Sequence, residues 1–149
     1  MKITINNIDF EIRSCQDEDY QFVYDLLKEN MLDSFIKHWG SWNENSFKSD
    51  FNKDYIKIIT KDGKRIAYYD LVFRKDFAYL HNIQIISSMQ GKGIGTYLMN
   101  LIEEETKKHN LNKIRLKVFK DNLAMKLYLK TGYKTTKEDE SSAIMEKNI

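Results

Sequence analysis

Proline is absent from all 149 residues and glycine occurs only six times, so the sharp turns of this chain rely on Gly, Asn, Asp and Ser. The single cysteine, Cys15, excludes an intrachain disulfide; at the end of an apparent strand it reads as core filler rather than as a nucleophile. The three histidines, at 38, 81 and 109, lack ligand spacing, so no metal site is expected. Charge of one sign is scarce: the formal balance is +2, Lys and Arg are scattered among acidic residues, and no basic arm points to nucleic acid. No apolar run is long enough to span a bilayer. The first ten residues, MKITINNIDF, alternate polar and apolar and lack a signal-peptide core. These absences predict a cytoplasmic protein with no metal, nucleic-acid or membrane partner.

Apolar residues make up 42% of the chain, which argues against disorder, and the length suits one domain, residues 1–149. Residues 8–13 alternate as a strand, and residues 1–5 pair with it across Asn6-Asn7. Polar residues 16–19 open a helix whose Tyr20, Val23, Leu27 and Met31 recur at helical spacing. From Met31 to Asn52 the pattern breaks into short pieces around KHWGSW, with a second short helix over 43–51. His38, Trp39 and Trp42 in that irregular stretch either line a substrate pocket or plug one end of the core. Strands over 55–60 and 65–74 flank an Asp62-Gly63 turn, and a third long strand covers 77–86.

That third strand runs into QGKGIGT, residues 90–96. Behind it Ile94, Tyr97, Leu98, Leu101 and Ile102 define an amphipathic helix. Glycines that let the backbone approach a ligand, followed by the unpaired N–H groups and positive dipole of a helix start, make an anion cradle. It is not a Walker A loop, because Gly93 rather than Ser or Thr follows Lys92. Nor is it the dinucleotide fingerprint, because Gly95 comes one residue early. Lys113–Phe119 alternates as a further strand, parallel to the one before the loop by the order strand, helix, strand. Residues 122–131 form a short helix that Gly132 ends, and strands over 133–137 and 143–147 flank a polar turn.

The spacing Gln90-x-x-Gly93-x-Gly95 resembles the pyrophosphate loop of the GNAT superfamily of acetyl-CoA-dependent N-acetyltransferases. Three further segments resemble that family in the right order: YLHNIQI before the loop, LKVFKDNLAMKLYLKTGY at 116–133, and the closing AIMEKNI. The resemblance covers about residues 55–149. Ser87 stands where the family often has proline, and Asn122 lies one residue closer to Ala124 than in many members.

The resemblance implies an α+β, three-layer GNAT-like acyl-CoA N-acyltransferase fold. Its mixed, mostly antiparallel sheet has helices on both faces, and two parallel strands splay at the cofactor. Acetyl-CoA is then the acetyl donor. By family position, backbone groups of Ile83, Gln84 and Ile85 hold the pantetheine and the thioester oxygen. The N–H groups of Gln90, Gly91, Lys92, Gly93, Ile94, Gly95 and Thr96 hold the pyrophosphate, and Asn122 touches the cofactor arm. Tyr128 becomes the general acid on the sulfur, since a phenol near pKa 10 stays protonated at neutral pH while a thiol titrates at about 8.5. The alternative for Tyr128 is a core tyrosine on an amphipathic helix.

The attacking amine has to be neutral, and a lysine-like amine is neutral in only roughly one molecule in 2,500 at pH 7. No Asp or Glu lies in 77–90 after Asp76, so His81 is the one side chain of that strand suited to act as base. A structural histidine or a water relay are the competing readings. The acceptor is a small-molecule or peptide amine. The family varies at about 17–52 and 138–142, where Glu138, Asp139 and Glu140 either attract a cation or form a solvated turn. A homodimer is the family's frequent habit. A non-catalytic acyl-CoA-binding domain that has kept the loop is the reading from a different class.

Overall fold

Asn6 and Asn7 both take left-handed backbone, φ 52° and 67°, and fold β1 (Lys2–Ile5) back onto β2 (Ile8–Ser14). Asn is among the few residues that tolerate this conformation, which matches the twist of a two-residue hairpin. The computed structural model describes residues 1–149. The chain divides into two compact units, Met1–Asp70 with Ile83–Gln90, and Leu71–Asn82 with Gly91–Ile149.

In the first unit a 3₁₀ turn, Asp17–Asp19, leads into α1 (Tyr20–Trp39), and α2 (Glu44–Asp50) follows. The expected break after Met31 does not occur. α1 runs on for 20 residues until Gly40, at φ 83°, turns the chain out of the helix. β3 (Ile56–Lys61) and β4 (Lys64–Phe73) form the hairpin expected around Asp62-Gly63, with φ 51° and 78° at the turn. The core under α1 gathers Cys15, Val23, Leu26, Ile56, Ile58 and Tyr68, with Phe22, Phe47, Phe51 and Ile86 packed against it. Cys15 is buried, and burial pushes its thiol up to about 11, which suits filler and not a nucleophile.

β4 and β5 (Ala78–Ile85) carry residues of both units. The second unit continues through α3 (Ile94–Lys108), β6 (Lys113–Phe119), α4 (Ala124–Lys130), β7 (Lys134–Glu138) and β8 (Ser142–Asn148). α3 buries Ile94, Leu98, Met99, Ile102 and Thr106, the stripe read from its sequence. The eight strands have the order β1-β2-β3-β4-β5-β6-β8-β7 in one mixed sheet. β5 and β6 are parallel, with Ala78↔Ile114, Tyr79↔Arg115 and Leu80↔Leu116 in register. β6 with β8 and β7 with β8 are antiparallel. No helix is long and apolar enough to cross a membrane.

Candidate active site

The glycine loop begins where β5 ends. A single 3₁₀ turn, Ser87–Met89, anchored by buried Met89, delivers Gln90 to the loop. Gly91 and Gly93 take φ 73° and 83°. A Cβ at Gly91 would meet nothing within 4 Å, so the dihedral and not the space calls for glycine there. Gly93 is the N-cap of α3; no side chain caps that end and no carboxylate stands in the first turn. The N–H groups of Ile94, Gly95 and Thr96 therefore start a 15-residue helix with its dipole directed at the loop. Lys92 is exposed within the same stretch.

The end of β5 is organised by its neighbours in the first unit. Ile86 N–H donates to Ile66 O on β4 at 3.0 Å. Within a strand the N–H and C=O of alternate residues point to the same side, so those of Ile83 and Ile85 point away from β4. Ile83, Gln84 and Ile85 are all half-buried. Ile85 O accepts Gln90 Nε2 at 2.9 Å and Asn30 Nδ2 at 3.2 Å, and Gln84 Oε1 accepts Asn30 Nδ2 at 3.1 Å. Asn30, on α1, was missed by the sequence reading. Nothing local marks a helical Asn as the partner of a strand more than fifty residues away.

In the second unit Tyr128 is 7% exposed on α4, its ring 6.0 Å from that of Tyr133. Burial alone pushes its phenol up to about 12. Asn122 sits just before α4; its Oδ1 accepts Ala124 N at 2.9 Å and its N–H donates to Phe119 O at 3.0 Å. Its carboxamide oxygen thus shapes the turn from β6 into α4. His81 is exposed on β5, with the Tyr79 ring set edgewise 4.9 Å away.

The aromatic segment after Met31 is helical as far as Trp39, while Trp42 lies in the short irregular connection between α1 and α2. Trp39 is 63% exposed and stacks on Phe35 at 4.6 Å, one helical turn earlier. Trp42 is half-buried and donates from Nε1 to Tyr24 Oη at 3.0 Å, and His38 is half-buried near the end of α1. Neither tryptophan belongs to the buried core. In the acidic turn Asp139 Oδ1 accepts Ser141 N at 2.9 Å and Ser142 N at 2.7 Å, and Glu138 lies 3.7 Å from Lys120.

A glycine loop opening a long helix, a parallel strand pair and a short helix carrying a buried tyrosine define an acyl-coenzyme A acyltransferase fold. Solved structures share it. The PaiA N-acetyltransferase of Thermoplasma acidophilum, crystallised with coenzyme A, superposes with a TM-score of 0.76 at 22% identity, covering 94% of this chain and 99% of that one. The ribosomal-protein-S18-alanine N-acetyltransferase of Escherichia coli gives a TM-score of 0.75 at 24% identity, with 94% of each chain covered. The chain belongs to the GNAT family of acetyltransferases, whose profile matches residues 17–133. Acetyl-CoA is that family's acetyl donor. Among curated relatives, the uncharacterized protein YxbD of Bacillus subtilis is 30% identical over 104 residues, 67% of this chain and 64% of YxbD. The match therefore spans less than two thirds of YxbD's length.

Proposed function

We propose that this protein transfers the acetyl group of acetyl-CoA to a primary amine by direct attack, with Tyr128 acting on the coenzyme A sulfur. The observation that carries the reading is the state of Tyr128: a buried phenol pushed up to about 12 on the helix that follows β6.

The uncapped start of α3 fits the donor, since backbone N–H groups with no acidic neighbour in the first turn suit a diphosphate. Residues 90–96 would hold that diphosphate. The N–H groups of Ile83 and Ile85 and the carbonyl of Ile83 would meet the pantetheine and the thioester oxygen. The Ile85 carbonyl already serves two side-chain amides. Asn122 would reach the cofactor arm through Nδ2. When bound, acetyl-CoA would supply an activated acetyl thioester, with the coenzyme A thiolate as the leaving group. Tyr128 is protonated at every physiological pH. Burial, which raises its pKa, disfavours full transfer of its proton to a thiolate of pKa about 8.5. Its role is therefore to donate a hydrogen bond to the sulfur as charge develops, a contribution realised in the transition state. The amine proton leaves through His81 or a water chain. Residues 1–149 act as one domain on this reading, because the chain passes between the two units at Asp70, Asn82 and Gln90.

The test is steady-state kinetics of Tyr128→Phe beside His81→Ala. Tyr128→Phe keeps the coenzyme A affinity and loses roughly tenfold or more in kcat. Unchanged turnover on a good acceptor would remove Tyr128 from the chemistry. If the acidic limb of kcat/KM against pH is identical in His81→Ala and wild type, the water relay stands and His81 does not act as base.

A further inference from the structure

The Ile85–Ile86 peptide is held from both sides. Ile86 N–H bonds to Ile66 O on β4, and a trans peptide sends the Ile85 carbonyl the opposite way. On that far edge the carbonyl oxygen accepts Gln90 Nε2 at 2.9 Å and Asn30 Nδ2 at 3.2 Å. Asn30 Nδ2 has two hydrogens, and its second partner is Gln84 Oε1 at 3.1 Å. One amide on α1 thus engages two successive residues of β5, while Gln90 ties the glycine loop to the same oxygen. Asn30 is half-buried, which spares these bonds much of the competition from water. Nothing about helix formation calls for Asn at this position, since Asn is a weaker helix former than Ala or Leu.

We propose that Asn30 is a positioning residue for donor binding: by holding the Gln84 side chain and the Ile85 carbonyl it fixes the two residues joined by the Gln84–Ile85 peptide, so that the far-edge N–H of Ile85 in that peptide is aimed before the donor arrives. This rests on the reading that β5 takes the pantetheine of acetyl-CoA. Preorganisation of this kind raises affinity by removing an ordering cost from the binding step. It acts on the pantetheine arm and not on the diphosphate, which the loop N–H groups address.

The test compares wild type, Asn30→Ala and Asn30→Asp by calorimetric titration with coenzyme A and with ADP, which carries a diphosphate but no pantetheine. Alanine is the best helix former, so Asn30→Ala keeps α1 folded. Asn30→Asp is isosteric and turns the two donors into an oxygen facing two oxygens. The Kd for coenzyme A is expected to rise about fivefold in Asn30→Ala, the weight of one ordinary hydrogen bond, and further in Asn30→Asp. The Kd for ADP stays within about twofold of wild type in both. Equal losses for both ligands, or a lowered melting temperature with coenzyme A affinity intact, would reduce Asn30 to a structural residue and overturn the proposal. Failure of wild type itself to bind coenzyme A would overturn the reading beneath it.

Discussion

At the scale of single residues, the most heavily committed side chain is Asp19, 1% exposed between β2 and α1. Its carboxylate accepts Arg13 Nη1 and Nη2 at 2.7 and 2.9 Å, Arg65 Nε at 2.6 Å and the backbone N–H of Gln16 at 2.8 Å. The Arg13 hydrogen bonds come first among the causes that hold this carboxyl well below the usual carboxylate range, with Gln16 N–H and Arg65 adding to them against the opposing effect of burial. The two arginines are 40% and 39% exposed, which screens the pairs. Asp19→Asn is therefore expected to cost about 2–3 kcal/mol at pH 7, below the full figure for breaking a wholly buried pair. Because the folded pKa is depressed, this stability is present above the unfolded pKa of about 3.9 and is lost as pH falls below it. Urea midpoints of wild type and variant should converge from about pH 4 downwards; curves that stay parallel would show that the charge contributes nothing. From sequence Asp19 reads only as an acid suited to a first helical turn. Its partners on β2 and β4 are joined to it by the fold alone.

At the scale of elements, the strands and the loop were legible because their signals are local. β6 was read at its observed bounds, Lys113–Phe119, from strict alternation, and both hairpins from Asn and Asp-Gly at left-handed turn positions. The second half of α1 was missed although its signal is local: Met31, Leu32, Phe35, Ile36 and Trp39 recur at helical spacing, but the two tryptophans around Gly40 drew the reading to a break. Its helical state is supported locally by the Phe35–Trp39 stack, a pair at i and i+4, and by the Gly40 stop. Asn30 stands at the head of that half. The start of α3 yields a prediction in which stability and binding move in opposite senses. Thr96→Glu places a carboxylate in a first turn that has none, and should stabilise the helix by about 0.3–1 kcal/mol. The same charge should weaken coenzyme A by roughly tenfold or more by repelling the diphosphate. A higher melting temperature with undiminished coenzyme A affinity would place the diphosphate elsewhere.

At the scale of the whole molecule, membership of the GNAT family gives acetyl-CoA as the donor and leaves the acceptor to be found. The acidic run at 138–140 is a weak lure for a cation, since Asp139 caps its own turn and Glu138 faces Lys120. The exposed Trp39–Phe35 stack on α1 is an apolar feature in the region where acceptors were expected to differ. A panel of polyamines, aminoglycosides, amino acids and peptides, read by release of free coenzyme A thiol, should contain at least one acceptor whose turnover falls in Tyr128→Phe. Tight acetyl-CoA binding with no thiol release across the panel would favour the non-catalytic binding domain.

The sequence by itself determined the family of this protein and with it the acetyl donor. A glycine spacing, a tyrosine on a short helix and alternating strands are short-range patterns, and short-range patterns are written in consecutive residues. Only the tertiary structure decided how those parts are held. That Asp19 collects Arg65 of β4 beside the nearby Arg13 and that Asn30 clasps the end of β5 both depend on which residues folding brings within 3 Å or so of one another. A hydrogen bond is indifferent to sequence separation, so no periodicity records it.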